Sequence, residues 1–237
     1  MTGTLALVGA GEFLPPMESV DRELLARADG ARVVVLPTAS APDGAGVPEK
    51  WARMGTEHFT RLGARVDALL ALTRDDCARA DFVSAVQDAH LIYFSGGKPD
   101  YLHATLVGTP LWDAVRGVLD RGGVVAGCSA GAMVMGAHVP KFTRRLGIPS
   151  VEKWQRGFAL VPDAIIVPHY NEFPEVMLKL FTGDTPRGSF IIGIDADTAL
   201  VGSDGTWQVL GAGRVTVRGA EKVERYKAGE RVGLLGG

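Results

Sequence analysis

The sequence predicts an α/β protein with a mostly parallel, doubly wound sheet that ends in a small antiparallel extension. Three observations predict it. Short apolar runs alternate with segments carrying apolar residues at helical spacing, the pattern of parallel strands covered on both faces. The last fifth of the chain holds apolar runs split only by Asp, Gly and Ser turns, and connections that short demand antiparallel pairing. A Gly-x-Ser-x-Gly segment stands between one apolar run and a run of small residues, in the strand–turn–helix order that such a segment requires.

The elements follow in order. Thr4–Val8 is a first strand, closed by Gly9-Ala10-Gly11. Met17–Ala28 carries charges and leucines at helical spacing, and Arg32–Leu36, with three consecutive valines, is a buried strand. Ala39–Val47, with its Pro, Gly and Asp, is a loop. Lys50–Leu62 reads as a helix and Arg65–Leu70 as a strand. Leu91–Phe94 is a strand closed by Gly96-Gly97, and Pro99–Leu119 a helix with Leu111, Val115 and Leu119 four apart. Gly123–Ala126 and Ala164–Val167 are further strands, with a helix starting at Ala130 after the first. Phe190–Ile194, Ala199–Val201, Trp207–Leu210 and Arg214–Val217 form the antiparallel extension.

At 237 residues the chain is long enough for one large α/β domain. The expectation is a single domain over residues 1–237, with 190–237 as its extension. With 25 basic and 27 acidic residues the net charge is −2, so no global basic field exists to recruit nucleic acid. Cys77 and Cys128 are the only cysteines, which excludes a disulfide framework and a four-cysteine zinc site and fits a reducing compartment. Leu5–Ala10 is too short for a signal core and follows no basic residue. Gly122–Ala137 is uncharged but broken by glycines, and falls short of the roughly 20 apolar residues of a membrane helix. The expected location is the cytoplasm, with no membrane partner. A homodimer is compatible with the sequence.

The most informative segment is Gly127-Cys128-Ser129-Ala130-Gly131. A sharp turn after a strand needs small flanking residues, which Gly127, Ala130 and Gly131 supply. Such an elbow lifts the Ser129 hydroxyl above the sheet and sets the Ala130 N–H at a helix start, where it can stabilise an oxyanion. A nucleophilic serine needs a base. Of the five histidines, His169 stands just past the strand Ala164–Val167, in Pro168-His169-Tyr170. The carboxyl ends of strands form the ligand crevice of an open α/β sheet, so Ser129 and His169 both project there, and His169 is the candidate base. Gly96-Gly97 closes another strand, and the Gly97 N–H is a candidate second oxyanion donor. The same pair is equally consistent with a plain strand-to-helix turn.

These segments resemble a known family. Gly127–Ala132, Phe94-Ser95-Gly96-Gly97 with Tyr101-Leu102, Pro168-His169-Tyr170 and Ile192–Leu200 look like the dipeptidase E and cyanophycinase family of serine peptidases. The resemblance implies a class I glutamine-amidotransferase-like fold and no metal or cofactor. It also implies cleavage of short peptides next to an aspartyl residue, or of β-aspartyl bonds. Carried onto this chain, Ser129 is the nucleophile, His169 the base, and Gly97 with Ala130 the oxyanion donors. The chain departs from the family where the triad acid is expected, near Gly147. Glu152 is the only carboxylate between Ser129 and Pro162 and is the chosen substitute, with Asp163 and Glu172 as rivals. Lys98 also departs, standing where the family usually carries an amide or an acid, and the arginines that cyanophycinase-like members carry after the histidine are missing.

Substrate charge is read from Val139–Gly157. It contains Lys141, Arg144, Arg145, Lys153 and Arg156 against Glu152 alone, a local net charge of +4. Such a stretch is usually a solvated face, but a guanidinium here can also take a substrate carboxylate in a bidentate pair. Lys98, Arg144 and Arg145 are the candidate substrate-binding cations, and the expected partner is a small acidic peptide. Two other readings stay open: a glutamine-amidotransferase-like hydrolase using cysteine, and a non-catalytic binding protein on the same fold. A dinucleotide site fails, because the third glycine of its fingerprint falls on Leu14.

Overall fold

The computed structural model describes residues 2–145, 148–174, 178, 185–203 and 205–234, with the backbone alone at 142–145 and 148–153. The first half alternates as β1 (Thr4–Val8), α1 (Glu18–Arg27), β2 (Arg32–Leu36), α2 (Val47–Arg61), β3 (Arg65–Ala68), α3 (Ala80–Gln87) and β4 (Leu91–Phe94). There follow α4 (Pro99–Leu106), α5 (Pro110–Asp120), β5 (Val124–Cys128), the single turn α6 (Ala130–Met133), and the strands β6 (His138–Arg145), β7 (Ile148–Arg156) and β8 (Ala164–Val167). The chain then runs through β9 (Phe190–Ile194), β10 (Thr198–Ser203), β11 (Thr206–Gly211), β12 (Arg214–Arg218), β13 (Val223–Lys227) and β14 (Arg231–Val232).

The main sheet has eight strands in the order β14-β11-β10-β1-β5-β4-β2-β3. β1, β5, β4, β2 and β3 are mutually parallel, and β10, β11 and β14 add antiparallel to the β1 edge. Alternation along each strand feeds two cores. Leu5, Leu7, Val34, Leu36, Ile92 and Phe94 face α3, α4 and α5, while Ala6, Val8, Val33, Val35, Leu91 and Tyr93 face α1 and α2. Each fully buried side chain of this size contributes about 1.5–3 kcal/mol, and both faces are filled. The fold is therefore the expected mixed α/β one.

Three expectations change in detail. Phe190–Ile194 does not extend the main sheet: β9 pairs parallel with β8 and antiparallel with β12, in a second sheet ordered β13-β12-β9-β8. Its apolar face (Ile166, Ile192, Ile194, Val215, Val217) joins the same core as the α3–α5 side of the main sheet, so the C-terminal strands divide between two sheets. Pro99–Leu119 is two helices, because Gly108 sits at φ 67 and Thr109 caps a new helix whose first residue is Pro110. The Thr109 Oγ1 accepts the Trp112 N–H at 3.3 Å. The basic stretch Val139–Gly157, expected only as a charged segment, lies largely in β6 and β7, which pair antiparallel. Among the described residues no helix is long and apolar enough to cross a membrane.

Candidate active site

The register brings three strand ends together. Val8 pairs with Cys128, and Phe94 with Gly127, so β1, β4 and β5 finish level. Ser129 follows at φ 52 and ψ −112, a backbone region that a side chain adopts only at a cost of about 1–3 kcal/mol. The elbow is over-determined. The Ser129 N–H bonds to the Val8 carbonyl at 3.0 Å, and the Ala132 and Met133 N–H groups both bond back to the Ser129 carbonyl at 3.0 Å. A Cβ on Gly127 would lie 2.4 Å from the Gly131 carbonyl carbon, and one on Gly131 would lie 2.6 Å from the Phe94 oxygen. Both glycines are therefore required by space.

His169 ends β8 in the same manner, at φ 53. Its turn is pinned on both sides. The Tyr170 N–H bonds to the Ile194 oxygen at 3.0 Å, and the Asn171 Oδ1 accepts the Ala196 N–H at 2.8 Å. The Glu172 N–H closes the turn onto the His169 oxygen at 2.9 Å. This geometry sets His169 Nε2 3.1 Å from Ser129 Oγ and Nδ1 2.7 Å from Glu172 Oε2. An ionised carboxylate only accepts, so Nδ1–H donates to Glu172, and Nε2 is left to accept the Ser129 O–H. Ser129, His169 and Glu172 thus form one hydrogen-bonded chain, with the imidazole in the tautomer a general base needs.

Glu172 therefore occupies the position expected for Glu152. The local turn delivers it, at a spacing of three residues that a sequence motif does not mark. The side chains of Glu152, Arg144 and Arg145 lie outside the described residues, as does Gly147. Asp163 immediately precedes β8, at the end opposite His169, which removes it as a rival. His58 is buried against Asp21 at 2.8 Å, and His103 packs 4.8 Å from the Phe158 ring. Neither reaches the elbow.

The Gly96–Gly97 turn lies directly beside the serine. A Cβ on Gly96 would be 3.3 Å from Ser129 Cβ and 3.7 Å from its Oγ. The N–H groups around Gly97 are taken: Ser95 bonds to Leu36 O, Gly96 to Glu12 Oε1 at 3.0 Å, and Lys98 to Ala39 O at 2.7 Å. Among the described residues no acceptor takes the exposed Gly97 N–H. The Ala130 N–H, in the first turn of α6, has no intrahelical acceptor either. These are the properties of oxyanion donors, although α6 is only a single turn. Lys98 is exposed next to this pair, its Nζ 3.4 Å from Asp43 Oδ1.

Cys128 is fully buried. Its thiol donates to Glu12 Oε2 at 2.9 Å, and burial with the adjacent Glu12 carboxylate pushes it well above the usual thiol range. A buried, protonated thiol directed away from the crevice is not a nucleophile, so the cysteine-based reading has no reactive group. In the sequence Glu12 carries no signal, because an acid between Gly11 and Phe13 belongs to no motif. Among the described residues no cluster of His, Cys, Asp and Glu is arranged to hold a metal ion.

The sequence profile of peptidase family S51 matches residues 5–210. The chain belongs to peptidase family S51. Cyanophycinases from Synechococcus elongatus and from Nostoc sp. are 28% and 29% identical over 222 and 224 residues, in each case 91% of this chain. The match covers 67% of the first and 73% of the second, so the chain spans about two thirds to three quarters of these relatives. The crystal structure of a peptidase from an acI-B1 Actinobacterium superposes with a TM-score of 0.88 at 37% identity, covering 99% of this chain and 98% of that one. A structure named for peptidase E of Listeria monocytogenes EGD-e shares the fold, with a TM-score of 0.63 at 19% identity over 96% of this chain and 99% of that one. The S51 protein described here is thus a peptidase of the dipeptidase E and cyanophycinase group.

Proposed function

We propose that this S51 peptidase hydrolyses a short peptide or isopeptide next to an aspartyl residue, through an acyl-enzyme on Ser129. The observation that carries the reading is the Ser129–His169–Glu172 chain, at 3.1 and 2.7 Å. His169 Nε2 takes the Ser129 proton as Oγ bonds to the scissile carbonyl carbon. The oxygen, now negative, lies against the Gly97 and Ala130 N–H groups. The C–N bond breaks as His169 returns that proton to the leaving amine. Water then enters, loses a proton to His169, bonds to the acyl carbon and releases Ser129 with its proton restored. Glu172 holds the imidazole tautomer and balances the imidazolium that forms twice in the cycle.

Acidic specificity is supported by Lys98, an exposed cation next to the oxyanion turn, which is paired with Asp43. A substrate carboxylate that displaces Asp43 gains the same ion pair while aligning the scissile bond. Arg144 and Arg145 are assigned to substrate binding on the charge of their segment alone. The cytoplasmic assignment rests on two free cysteines, both buried. The test is hydrolysis of aspartyl-leucine, leucyl-aspartate, β-aspartyl-arginine and glutamine by wild type and Ser129→Ala. Cleavage of an aspartyl substrate that vanishes in the variant supports the reading and fixes the side of preference. Ammonia release from glutamine that survives the variant, or no turnover by folded wild type, overturns it.

A further inference from the structure

We propose that Glu12 is a positioning residue, which fixes the oxyanion turn against the nucleophile elbow by bonding to both at once. Its side chain is more than nine-tenths buried, at 7% exposure. One oxygen accepts the Gly96 N–H at 3.0 Å and the other accepts the Cys128 thiol at 2.9 Å. Gly96 opens the turn that carries the Gly97 donor, and Cys128 immediately precedes Ser129. A single carboxylate therefore ties together the two segments whose N–H groups must converge on one oxygen atom.

The chain is shaped to deliver this group. Glu12 lies between two residues in the left-handed region, Gly11 at φ 89 and Phe13 at φ 64. Gly11 tolerates that geometry, and a Cβ there would lie 2.3 Å from Asp197 Oδ1. Phe13 does so as a bulky residue, and is held by its ring contacts with Tyr93 at 5.0 Å and Phe59 at 6.0 Å. Backbone strain on a bulky residue persists only where the surroundings impose it. Here it turns a carboxylate inward beneath the site, among Tyr93 and Cys128, a location where an acid is otherwise costly. The partners decide the effect. The flanking Gly96 and Lys98 N–H groups bond to Glu12 and to Ala39, on opposite sides of Gly97. The peptide plane of Gly97 has glycine's freedom and no side chain to hold it, so those two anchors set where its N–H points. Without the Glu12 anchor the Gly96 N–H is left buried with no acceptor, and the turn is released to rotate.

The inference rests on the proposed acyl transfer, and its test separates the two. Glu12→Ala removes the acceptor, whereas Glu12→Gln keeps a carbonyl oxygen for the Gly96 N–H. The expected result on the aspartyl peptide is a fall in kcat of about 10–100-fold for Glu12→Ala, below the 10²–10³ that loss of a whole oxyanion donor costs. KM stays unchanged, and Glu12→Gln recovers kcat to within about five-fold of wild type. Circular dichroism and Tm of both variants show that each is folded. Amide hydrogen exchange by NMR, which needs no substrate, reads the anchor directly: the Gly96 amide is protected in wild type and Glu12→Gln and loses protection selectively in Glu12→Ala. A loss confined to KM, a Glu12→Gln as impaired as Glu12→Ala, or Gly96 protection unchanged in Glu12→Ala overturns the assignment. A wild type that cleaves nothing overturns the proposed function, and the amide measurement still decides the role of Glu12.

Discussion

Replacing Glu172 with glutamine tests the least expected part of the site. In the proposed acyl transfer the His169 imidazolium faces the Glu172 carboxylate across 2.7 Å, with side-chain exposures of 32% for His169 and 53% for Glu172. Unit charges about 4 Å apart attract by about 1 kcal/mol in water and about 4 kcal/mol at the effective dielectric of a protein surface. A half-exposed pair falls between these limits. At about 1.4 kcal/mol per tenfold, the transition state loses between about 5-fold and about 10³-fold in rate. The glutamine amide can also donate to Nδ1, which moves the ring proton to Nε2 and removes the acceptor for the Ser129 hydroxyl. A loss near 10²-fold in kcat is therefore expected, smaller than the ~10⁴ seen where the triad acid is buried. The assay is steady-state hydrolysis of aspartyl-leucine by Glu172→Gln, Glu172→Ala and Glu152→Gln, with KM unchanged in the first two and both constants unchanged in the third. Wild-type kcat in Glu172→Gln, together with a loss of 10²-fold or more in Glu152→Gln, would refute the reasoning and return the acid to the hairpin.

Other perturbations follow from the same geometry. Gly97→Ala puts a Cβ 2.3 Å from the Ala39 oxygen at φ 143; about 1–3 kcal/mol of stability and at least 10²-fold of kcat should be lost, read by chemical denaturation and peptide hydrolysis. His58→Ala leaves the Asp21 carboxyl, already pushed up by burial, without its 2.8 Å partner; a loss of about 3–5 kcal/mol in urea unfolding is expected, and an unchanged midpoint speaks against a structural pair. Asp76 is pushed up by partial burial, but hydrogen bonds from Thr73 Oγ1, Thr73 N–H and Leu72 N–H outweigh this and hold its carboxyl below the usual range. Its stabilisation is present above the unfolded carboxyl's range and is lost as pH falls through the folded value; Asp76→Asn should thus cost stability at pH 7, and the gap to wild type should narrow as pH falls below the ordinary carboxyl range, as followed by Tm. Burial pushes Cys77 up to about 11 and holds Cys128 well above the usual thiol range, so a thiol reagent at pH 7.5 should label neither cysteine until urea unfolds the chain, and rapid native labelling would show an opening the fold does not contain.

Local sequence determined the central strands and half of the site. Apolar runs of four or five residues with polar bounds name β1, β2, β4, β5 and β8 unaided, because a buried strand must be apolar on both faces. The small residues of Gly127–Gly131 name the elbow, because nothing larger fits within 2.4–2.6 Å of neighbouring backbone. Position after a strand names His169. Tertiary structure decided whatever depends on which distant segments meet. Phe190–Ile194 reads as one more extension strand, yet its hydrogen bonds go to β8, and no local signal chooses between two sheets that both accept an apolar strand. Glu172 owes its role to a turn held by Ile194 and Ala196, and Glu12 owes its role to Gly96 and Cys128, 84 and 116 residues away. An acidic side chain looks the same in sequence whether it is solvated or clamped beneath a nucleophile. Only the packing that removes water from it, and supplies its donors, separates the two.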